Sequence, residues 1–291
     1  MLQDSVRLEN IRCILCMIVA MAGFAVEDAI IKQLSISLPI SQILILIGSG
    51  GLITFFLAGA FQKISLFNPD TRKPWFIVRS FCELAAAISF VSAVVYGSLS
   101  ISSAIIQATP LAIVAGGALF LQQRVSGPRW MLLLIGFLGV LLVTQPGQEG
   151  FKPATLFAFA AVFFLAVRDT ITRLLSVSIP AITLSFWAFF ASLLAGIATI
   201  PFFPSFQTPS PQNILLVATS IITGSVAYYC IVLATRAGEI SVVAPFRYTR
   251  LLFALILSVI FFNEPINELM LLGSALIIVS GVMMLVIRDK N

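Results

Sequence analysis

The side chains of this sequence that could do chemistry are charged residues inside otherwise apolar segments. The segment SVVAPFRYTR, residues 241–250, contains Pro245, Arg247 and Arg250 and runs into an apolar stretch that ends at Phe262. A charge near the centre of a bilayer costs at least about 2.5 kcal/mol, so such a residue normally faces a partner or a water-filled cavity. Since neither arginine has an acidic residue near it on the predicted helix, we expect one of them to bind the carboxylate of a ligand.

A second pair, Arg79 and Glu83, lies four residues apart and therefore on one face of a helix. At a rise of 1.5 Å per residue, Glu83 lies about 13 Å and Arg250 about 15 Å from the start of their helices. Both residues are thus expected near the middle of a hydrocarbon core about 30 Å thick. Two interpretations of the pair stay open: contact with a ligand, or an ion pair that holds the helices together.

Pro110 and Pro245 interrupt two apolar segments. Each proline removes a backbone donor and frees a carbonyl that lipid cannot satisfy, and interrupted helices in related halves of a membrane protein point to a site between them. A tyrosine hydroxyl in the middle of an apolar helix also needs a polar partner. The predicted ligand-binding residues are Arg79, Glu83, Gln107, Tyr228, Arg247, Tyr248 and Arg250.

Charged residues near the ends of two other segments are predicted to form gates. Asp28 and Lys32 are four residues apart, as are Asp169 and Arg173. At these positions a salt bridge within one helix or a gate latch is favoured over contact with a ligand. Glu264, next to Pro265, is predicted to cap the first turn of the last helix.

The composition excludes several kinds of chemistry. The sequence has no histidine, which removes histidine proton relays, histidine metal ligands and Ser-His catalysis. All four cysteines lie in apolar segments, and the CxxC of Cys13 and Cys16 has no second pair, so helix packing is favoured over a metal or redox site. We expect no cofactor, no bound metal and no enzymatic activity. Most basic residues lie in short loops, so the net charge of +5 does not indicate a nucleic-acid partner.

The elements that must position these residues are membrane-spanning helices. Hydrophobic residues make up 59% of the 291 residues and charged residues 10%, whereas soluble domains have about 25% charged residues. The mean hydropathy is +1.08. These values predict an all-α polytopic membrane protein with ten transmembrane helices. The predicted spans are 11–31, 40–60, 74–97, 101–121, 129–145, 153–173, 180–200, 212–235, 240–262 and 268–287.

The orientation is predicted from the lysines and arginines in the loops. If the N-terminus is cytoplasmic, the opposite side holds only Lys32 and Lys152. The cytoplasmic side holds Arg7, Arg12, Lys63, Arg72, Lys73, Arg124, Arg129, Arg173, Arg236, Arg288 and Lys290. Both termini are therefore expected in the cytoplasm.

The chain also repeats itself at an interval of 141 residues. AVEDAIIKQL, residues 25–34, matches AVRDTITRLL, residues 166–175, and Gln123 matches Glu264. In this alignment Glu27 and Arg168 occupy matching positions. Each repeat has five predicted spans, and because five is odd the second repeat must be inverted relative to the first. The predicted units are residues 1–146 and 147–291.

These features resemble the EamA-type branch of the drug/metabolite transporter superfamily. The resemblance covers nearly the whole chain and rests on two five-helix halves, the turns Gln-Gln-Arg-Val (122–125) and Asn-Glu-Pro (263–265), the segments GVLL (139–142) and GVMM (281–284), and APFRY (244–248). In the first turn Gln123 replaces the usual glutamate. The resemblance implies a ten-helix basket with a central cavity and transport by alternating access. The segment APFRY is similar to a subset of the family that moves amino acids and other small metabolites.

The expected function is secondary transport of amino acids or related small metabolites, with export across a bacterial inner membrane. Arg247 or Arg250 would bind a carboxylate, and Glu83 and Gln107 would bind an ammonium or another polar group. The alternative is import of a larger metabolite such as S-adenosylmethionine or riboflavin. A proton is a candidate coupling ion, with Glu83 or Asp28 as its carrier, although an acid paired with arginine stays ionised. The sequence leaves open the substrate, the direction of transport and whether the protein is a monomer or a homodimer.

Overall fold

The computed structural model describes residues 2–120, 126–145, 152–174, 179–237 and 243–286, and this part of the chain is all-helical, without a β-strand. The α-helices are α1 (Leu2–Leu34), α2 (Ile40–Phe61), α3 (Pro74–Tyr96), α4 (Leu99–Ile106), α5 (Thr109–Phe120), α6 (Gly127–Thr144), α7 (Thr155–Leu174), α8 (Ala181–Thr199), α9 (Pro211–Ala237), α10 (Thr249–Phe262) and α11 (Glu268–Val286). Short 3-10 turns cover Pro69–Arg72, Ile200–Phe202 and Ala244–Tyr248.

Most of these helices can cross a membrane. Within the described residues, eight helical segments are long and apolar enough to span a bilayer, and two more, Trp130–Thr144 and Glu268–Met283, are apolar but shorter. Large apolar side chains such as Ile53, Phe56 and Phe61 are exposed on the outside of the bundle, where a soluble protein would carry polar residues. The predicted all-α polytopic membrane protein is thus confirmed for the described part of the chain.

The predicted fourth span is two helices rather than one. Helix α4 ends at Ile106 and α5 begins at Thr109. Pro110 cannot donate to the carbonyl of Ile106, four residues before it, and the hydroxyl of Thr109 donates to that carbonyl instead. The carbonyl that the sequence predicts to be freed by Pro110 therefore has a partner within the same segment.

The second proline interruption lies beside the first one. Before α10 the chain forms a 3-10 turn, Ala244–Tyr248, instead of the first turn of a regular α-helix. Gln107, at the end of α4, donates from its side-chain amide to the backbone carbonyl of Arg247 at 3.1 Å. The two breaks are thus joined directly by a hydrogen bond.

The helix contacts form a pattern with twofold symmetry. Exchanging the two repeats exchanges α1 with α7, α2 with α8, α3 with α9, the α4–α5 segment with α10, and α6 with α11. The extensive contact of α1 with α9 then corresponds to that of α7 with α3, and the contacts of α2 with α8 and of α6 with α11 correspond to themselves. Helix α1 also packs on α10, as α7 packs on α4 and α5. The two halves are therefore related by a pseudo-twofold axis.

Glycines bring α6 and α11 into backbone contact. A Cβ atom on Gly139 would lie 2.7 Å from the carbonyl oxygen of Gly273, and one on Gly273 would lie 2.5 Å from that of Gly139. Backbone oxygens cannot rotate away as side chains can, so these helices must separate to admit a methyl group.

We expect Gly139→Ala to destabilise the protein by about 1 to 3 kcal/mol, the usual cost of overpacking. Thermal unfolding in detergent would measure the change. Gly116→Ala is the matched control, because Gly116 is also helical and a Cβ there meets no atom within 4 Å. The control should unfold at or slightly above the temperature of the unmodified protein, because alanine favours helix. Equal unfolding temperatures for the two variants would contradict the close contact.

Candidate functional site

Glu83 on α3 is the centre of a buried ionic cluster. Its Oε2 accepts from Arg79 Nη2 at 3.0 Å and from the Tyr228 hydroxyl at 3.1 Å, and its Oε1 accepts from Arg168 Nη1 at 2.8 Å. Arg79 also donates to the Tyr228 hydroxyl at 2.9 Å. A carboxylate offers about four acceptor positions, so three strong donors leave Glu83 little capacity for a ligand. Arg79 and Glu83 therefore form the ion pair of the second interpretation, and the cluster also includes α7 and α9.

Asp169 on α7 extends the cluster to the 3-10 turn. Its Oδ1 accepts from Arg168 Nε at 3.0 Å and Nη2 at 2.7 Å, and its Oδ2 accepts from Arg247 Nη2 at 3.4 Å. Arg168 thus bridges the carboxylates of Glu83 and Asp169. The predicted gate residue Asp169 thus belongs to the same cluster as Arg79 and Arg247.

Asp28 on α1 pairs with Arg250 on α10 rather than with Lys32. Arg250 donates to Asp28 Oδ2 from Nε at 3.2 Å and from Nη2 at 2.7 Å. The guanidinium of Arg250 also lies over the rings of Phe24, at 5.2 Å, and Phe90, at 5.0 Å. The predicted salt bridge between Asp28 and Lys32 within α1 is therefore wrong, because each of these residues has a partner on another element: Arg250 for Asp28 and Glu264 for Lys32.

The four arginines that form these ion pairs differ in how available they are to a ligand. The exposed fraction of the side chain is 3% for Arg79, 15% for Arg168, 16% for Arg250 and 28% for Arg247. Arg247 also has the longest ion pair, 3.4 Å, whereas Arg250 is held by two hydrogen bonds and two aromatic rings. Among these four arginines, Arg247 is the one most available to an anion.

The other predicted ligand-binding residues have different surroundings. Tyr228 joins the cluster through its hydroxyl, whereas Gln107 uses its amide to hold the backbone of the 3-10 turn. The hydroxyl of Tyr248 is buried against Gly281 of α11 and forms no hydrogen bond with any described residue. Contact of Tyr248 with a ligand is thus not supported by its contacts. The side chain of Arg173 lies outside the described residues, as do Gln123 and the turn 122–125.

Glu264 and Lys32 form a second polar cluster at one end of the bundle. The carboxylate of Glu264 accepts from Lys32 Nζ, from the hydroxyls of Ser98 and Ser100 at 2.6 Å each, and from the backbone amides of Leu99 and Ser100 at 2.9 Å each. Lys32 also lies 5.0 Å from the centre of the Phe262 ring. The prediction that Glu264 caps the last helix is wrong: it caps the N-terminus of α4, because the α10–α11 connection packs over that helix.

The contribution of the Glu264 cluster to stability should not change across the physiological pH range. Burial alone would raise the pKa of Glu264, but the hydrogen bonds from Lys32, Ser100 and Ser98 lower it to about 2. Because the folded-state pKa lies below the ordinary value, the stabilisation is complete above about pH 5 and is lost as the pH falls towards 2. The contribution is about 3 kcal/mol at neutral pH.

We expect the unfolding temperatures of the unmodified protein and of Glu264→Gln to differ by a constant amount from pH 8 to pH 5. The difference should shrink below pH 4, and unfolding scans in detergent across this range would show it. A difference that disappears between pH 7 and pH 5 would contradict the lowered pKa.

From the sequence, it is easier to predict which charged residues lie in the interior than to predict which residues they pair with. Arg168 and Glu264 are both central to the observed clusters, yet neither is among the predicted ligand-binding or gate residues. Arg168 carried a usable signal, because it is an arginine within an apolar span and its repeat mate is the acidic Glu27. The partner of Glu264 carried no local signal, since Lys32 lies 232 residues away in sequence.

A multi-pass helical membrane protein with two related halves and a charged centre has the architecture of a membrane transporter. The EamA-like transporter family matches residues 11–145 and 152–287 of the chain. The chain belongs to this family and is a transporter of the drug/metabolite superfamily, located in the inner membrane in bacteria.

Characterised relatives differ in substrate. The S-adenosylmethionine uptake transporter of Rickettsia conorii is 25% identical over 58% of this chain and 57% of that protein, which is less than two thirds of its length. The riboflavin transporter of Rhizobium johnstonii is 24% identical over 95% of the chain and 92% of that protein. The pseudopaline exporter CntI of Pseudomonas aeruginosa is 22% identical over 92% of the chain and 93% of that protein.

The fold also occurs in a protein of known crystal structure. That protein is 17% identical, with a TM-score of 0.63, and the alignment covers 94% of this chain and 98% of the other. At this level of identity the likeness shows a common fold.

Proposed function

We propose that the protein is a secondary transporter of small zwitterionic metabolites of the amino acid class, and that it exports them by alternating access. The observation that carries this proposal is the cluster of both charge signs at the joint between the two repeats, where Arg247 retains the largest exposed fraction of the buried arginines. Charged side chains inside membrane proteins normally line a substrate or ion path. Arg247 binds the substrate carboxylate, and Glu83 holds the surrounding arginines in place.

The transport cycle requires two gates on opposite sides of this cluster. We propose that the ten spans form two inverted five-helix repeats, in units 1–146 and 147–291, with both termini in the cytoplasm. The Glu264 cluster supports this arrangement, because the end of α1, the start of α4 and the α10–α11 connection meet at one end of the bundle, as alternating spans require. Lys32 and Glu264 form the gate at that end, and Arg173 belongs to the opposite gate.

Counterflow in proteoliposomes tests the function. Vesicles loaded with unlabelled compound should accumulate labelled L-methionine or S-adenosylmethionine, both of which carry an α-ammonium and an α-carboxylate, and should ignore riboflavin, which lacks both. Efflux with and without a proton gradient determines whether the proton is the coupling ion. Accumulation of riboflavin alone would contradict a zwitterion site.

We expect Arg247→Gln to raise the KM for L-methionine by about 10-fold to 100-fold, since a hydrogen bond between charged groups contributes about 1.5 to 3 kcal/mol. The measurement is the initial rate of counterflow against substrate concentration. Arg72→Gln is the control, because Arg72 is an exposed arginine in the turn before α3. An unchanged KM in Arg247→Gln would remove this arginine from the substrate path.

The second candidate is import of S-adenosylmethionine or a related metabolite. This candidate is favoured by the likeness to S-adenosylmethionine uptake transporters of several Rickettsia species. The amino acid moiety of S-adenosylmethionine also suits the same charged site. The two directions differ in their effect on cells. An exporter gives tolerance to a toxic amino acid analogue, whereas an importer rescues a strain that cannot make the metabolite.

A further inference from the structure

The pseudo-twofold symmetry relates the ion pair of Arg168 and Glu83 to a second pair of residues, Glu27 and Gly224. In this second pair one of the two residues has no side chain. In the first case Arg168 on α7 contacts Glu83 on α3 at 2.8 Å. Both residues have repeat mates 141 positions away in the chain, Glu27 on α1 and Gly224 on α9. These mates also touch: a Cβ atom on Gly224 would lie 2.4 Å from Glu27 Oε1. In this second pair Glu27 is an acid, and the residue that it contacts on α9, Gly224, carries no charge.

The alignment of Gly224 with Glu83 does not depend on this contact. The same interval of 141 residues pairs Gly97 with Gly238 and Ser100 with Ser241 in the sequence just after α3 and α9. It also pairs the helices themselves, because α1 packs on α9 as α7 packs on α3. Sequence and packing therefore agree that Gly224 in the second repeat corresponds to Glu83 in the first.

The carboxylate of Glu27 has no hydrogen bond or ion pair with any described residue. The nearest charged groups on the packed elements are Asp28 on the same helix and Arg250 on α10. Arg250 donates hydrogen bonds from Nε and Nη2 to Asp28, and its guanidinium lies over the rings of Phe24 and Phe90. Glu27 is half-buried and Gly224 is buried. A carboxylate that is partly removed from water and has no donor from the protein carries part of the desolvation cost, so a cation is the expected partner.

We propose that Glu27 and Gly224 form a subsite for the cationic group of the transported molecule. Arg168 and Glu83 supply both members of an ion pair. Glu27 and Gly224 supply only the acid, so the ammonium of the substrate provides the missing cation. Gly224 allows the Glu27 carboxylate to lie against α9, where any larger residue would displace it. Phe24 and Tyr228, whose ring centres are 6.4 Å apart, lie one turn away on the same two helices, and the Phe24 ring already has the Arg250 guanidinium over it.

This inference rests on the proposed function and completes its site. Arg247 provides a cation for the substrate carboxylate, while Glu83 and Gln107 are occupied by protein groups. Glu27 provides the missing anion. The subsite predicts that the transporter selects for a primary ammonium or a similar cation and discriminates against acylated analogues.

The test compares L-methionine with N-acetyl-L-methionine, which keeps the carboxylate and loses the cation, as competitors in counterflow of labelled L-methionine. In the unmodified protein the acetylated compound should compete at least about 30-fold more weakly. In Glu27→Gln the KM for L-methionine should rise by a similar factor, and the two compounds should compete within about 3-fold of each other. Glu9→Gln, an exposed glutamate on the same helix, is the matched control and should retain the discrimination.

Gly224→Ala provides a second test that does not depend on Glu27→Gln folding well. Its added methyl group would push the carboxylate away from α9, so it should weaken L-methionine and leave N-acetyl-L-methionine unchanged. Retained discrimination in both variants would overturn the subsite while leaving the proposed function intact. Loss of accumulation driven by a proton gradient, with unchanged KM and discrimination, would also overturn it and assign Glu27 to proton transfer. If the unmodified protein moves neither L-methionine nor S-adenosylmethionine, the proposed function fails and the subsite with it.

Discussion

Replacing Glu83 by glutamine is expected to lower the rate of L-methionine counterflow by at least about 100-fold. Glu83 accepts from Arg79, Arg168 and Tyr228, so its loss leaves two buried guanidinium groups without their shared counter-charge. Removal of one partner of a buried ion pair costs about 3 to 5 kcal/mol. Proteoliposome counterflow measures the rate, and thermal unfolding in detergent measures the loss of stability.

A second substitution distinguishes a positioning role of Glu83 from direct contact with substrate. Arg168→Gln combined with Glu83→Gln removes one positive and one negative charge, so the cluster regains its original net charge. We expect the double variant to unfold closer to the unmodified protein than Glu83→Gln does, because the two sites are coupled, and to recover part of the counterflow rate. A double variant that is stable but still inactive would show that Glu83 contacts the substrate. Lys73→Ala, which breaks the exposed pair with Asp70, should change neither property by more than about 0.5 kcal/mol.

The membrane fold could be predicted from the sequence because its signals are local. Length and hydropathy locate the helices, and the bounds of α2, α3 and α8 agree with the predicted spans to within a few residues. The prolines likewise mark real interruptions. Pro110 divides the fourth span, although hydropathy alone predicts one continuous helix there. Backbone hydrogen bonding, rather than apolarity, decides where such a helix breaks.

The charged site could be predicted as a set of residues, but of its pairs only Arg79 with Glu83 followed from spacing. Pairing rules based on spacing apply to a single helix, and they favoured Asp28 with Lys32. In the structure Asp28 pairs with Arg250 and Lys32 with Glu264, and spacing along one helix does not reveal such partners on neighbouring elements. The internal repeat is the sequence feature that could have improved this prediction. It relates Glu27 to Arg168 and thereby identifies both as interior positions.

Replacing Glu264 by alanine is expected to have the largest effect outside the central cluster. The change leaves Lys32, two serine hydroxyls and the amides of Leu99 and Ser100 without their common acceptor. Lost capping of a helix costs about 1 kcal/mol, and the unpaired Lys32 adds to this cost. We expect a total loss of about 3 kcal/mol and an unfolding temperature lower by about 5 to 10 °C. Lys32→Met should have a smaller effect, since Glu264 keeps its four donors on and next to α4.

If this cluster is a gate, its loss should also open that end of the bundle. The test is the rate at which a water-soluble thiol reagent labels Leu99→Cys, a fully buried position beside Glu264, in a background with the four native cysteines replaced by alanine. Glu264→Ala should raise this rate at least about 10-fold, because a loss of about 1.4 kcal/mol in the closed state shifts the opening equilibrium by that factor. Ile36→Cys, at a position that is 76% exposed, should label at the same rate with or without Glu264. Faster labelling at both positions would indicate general unfolding, and no change at Leu99→Cys would limit Glu264 to capping α4.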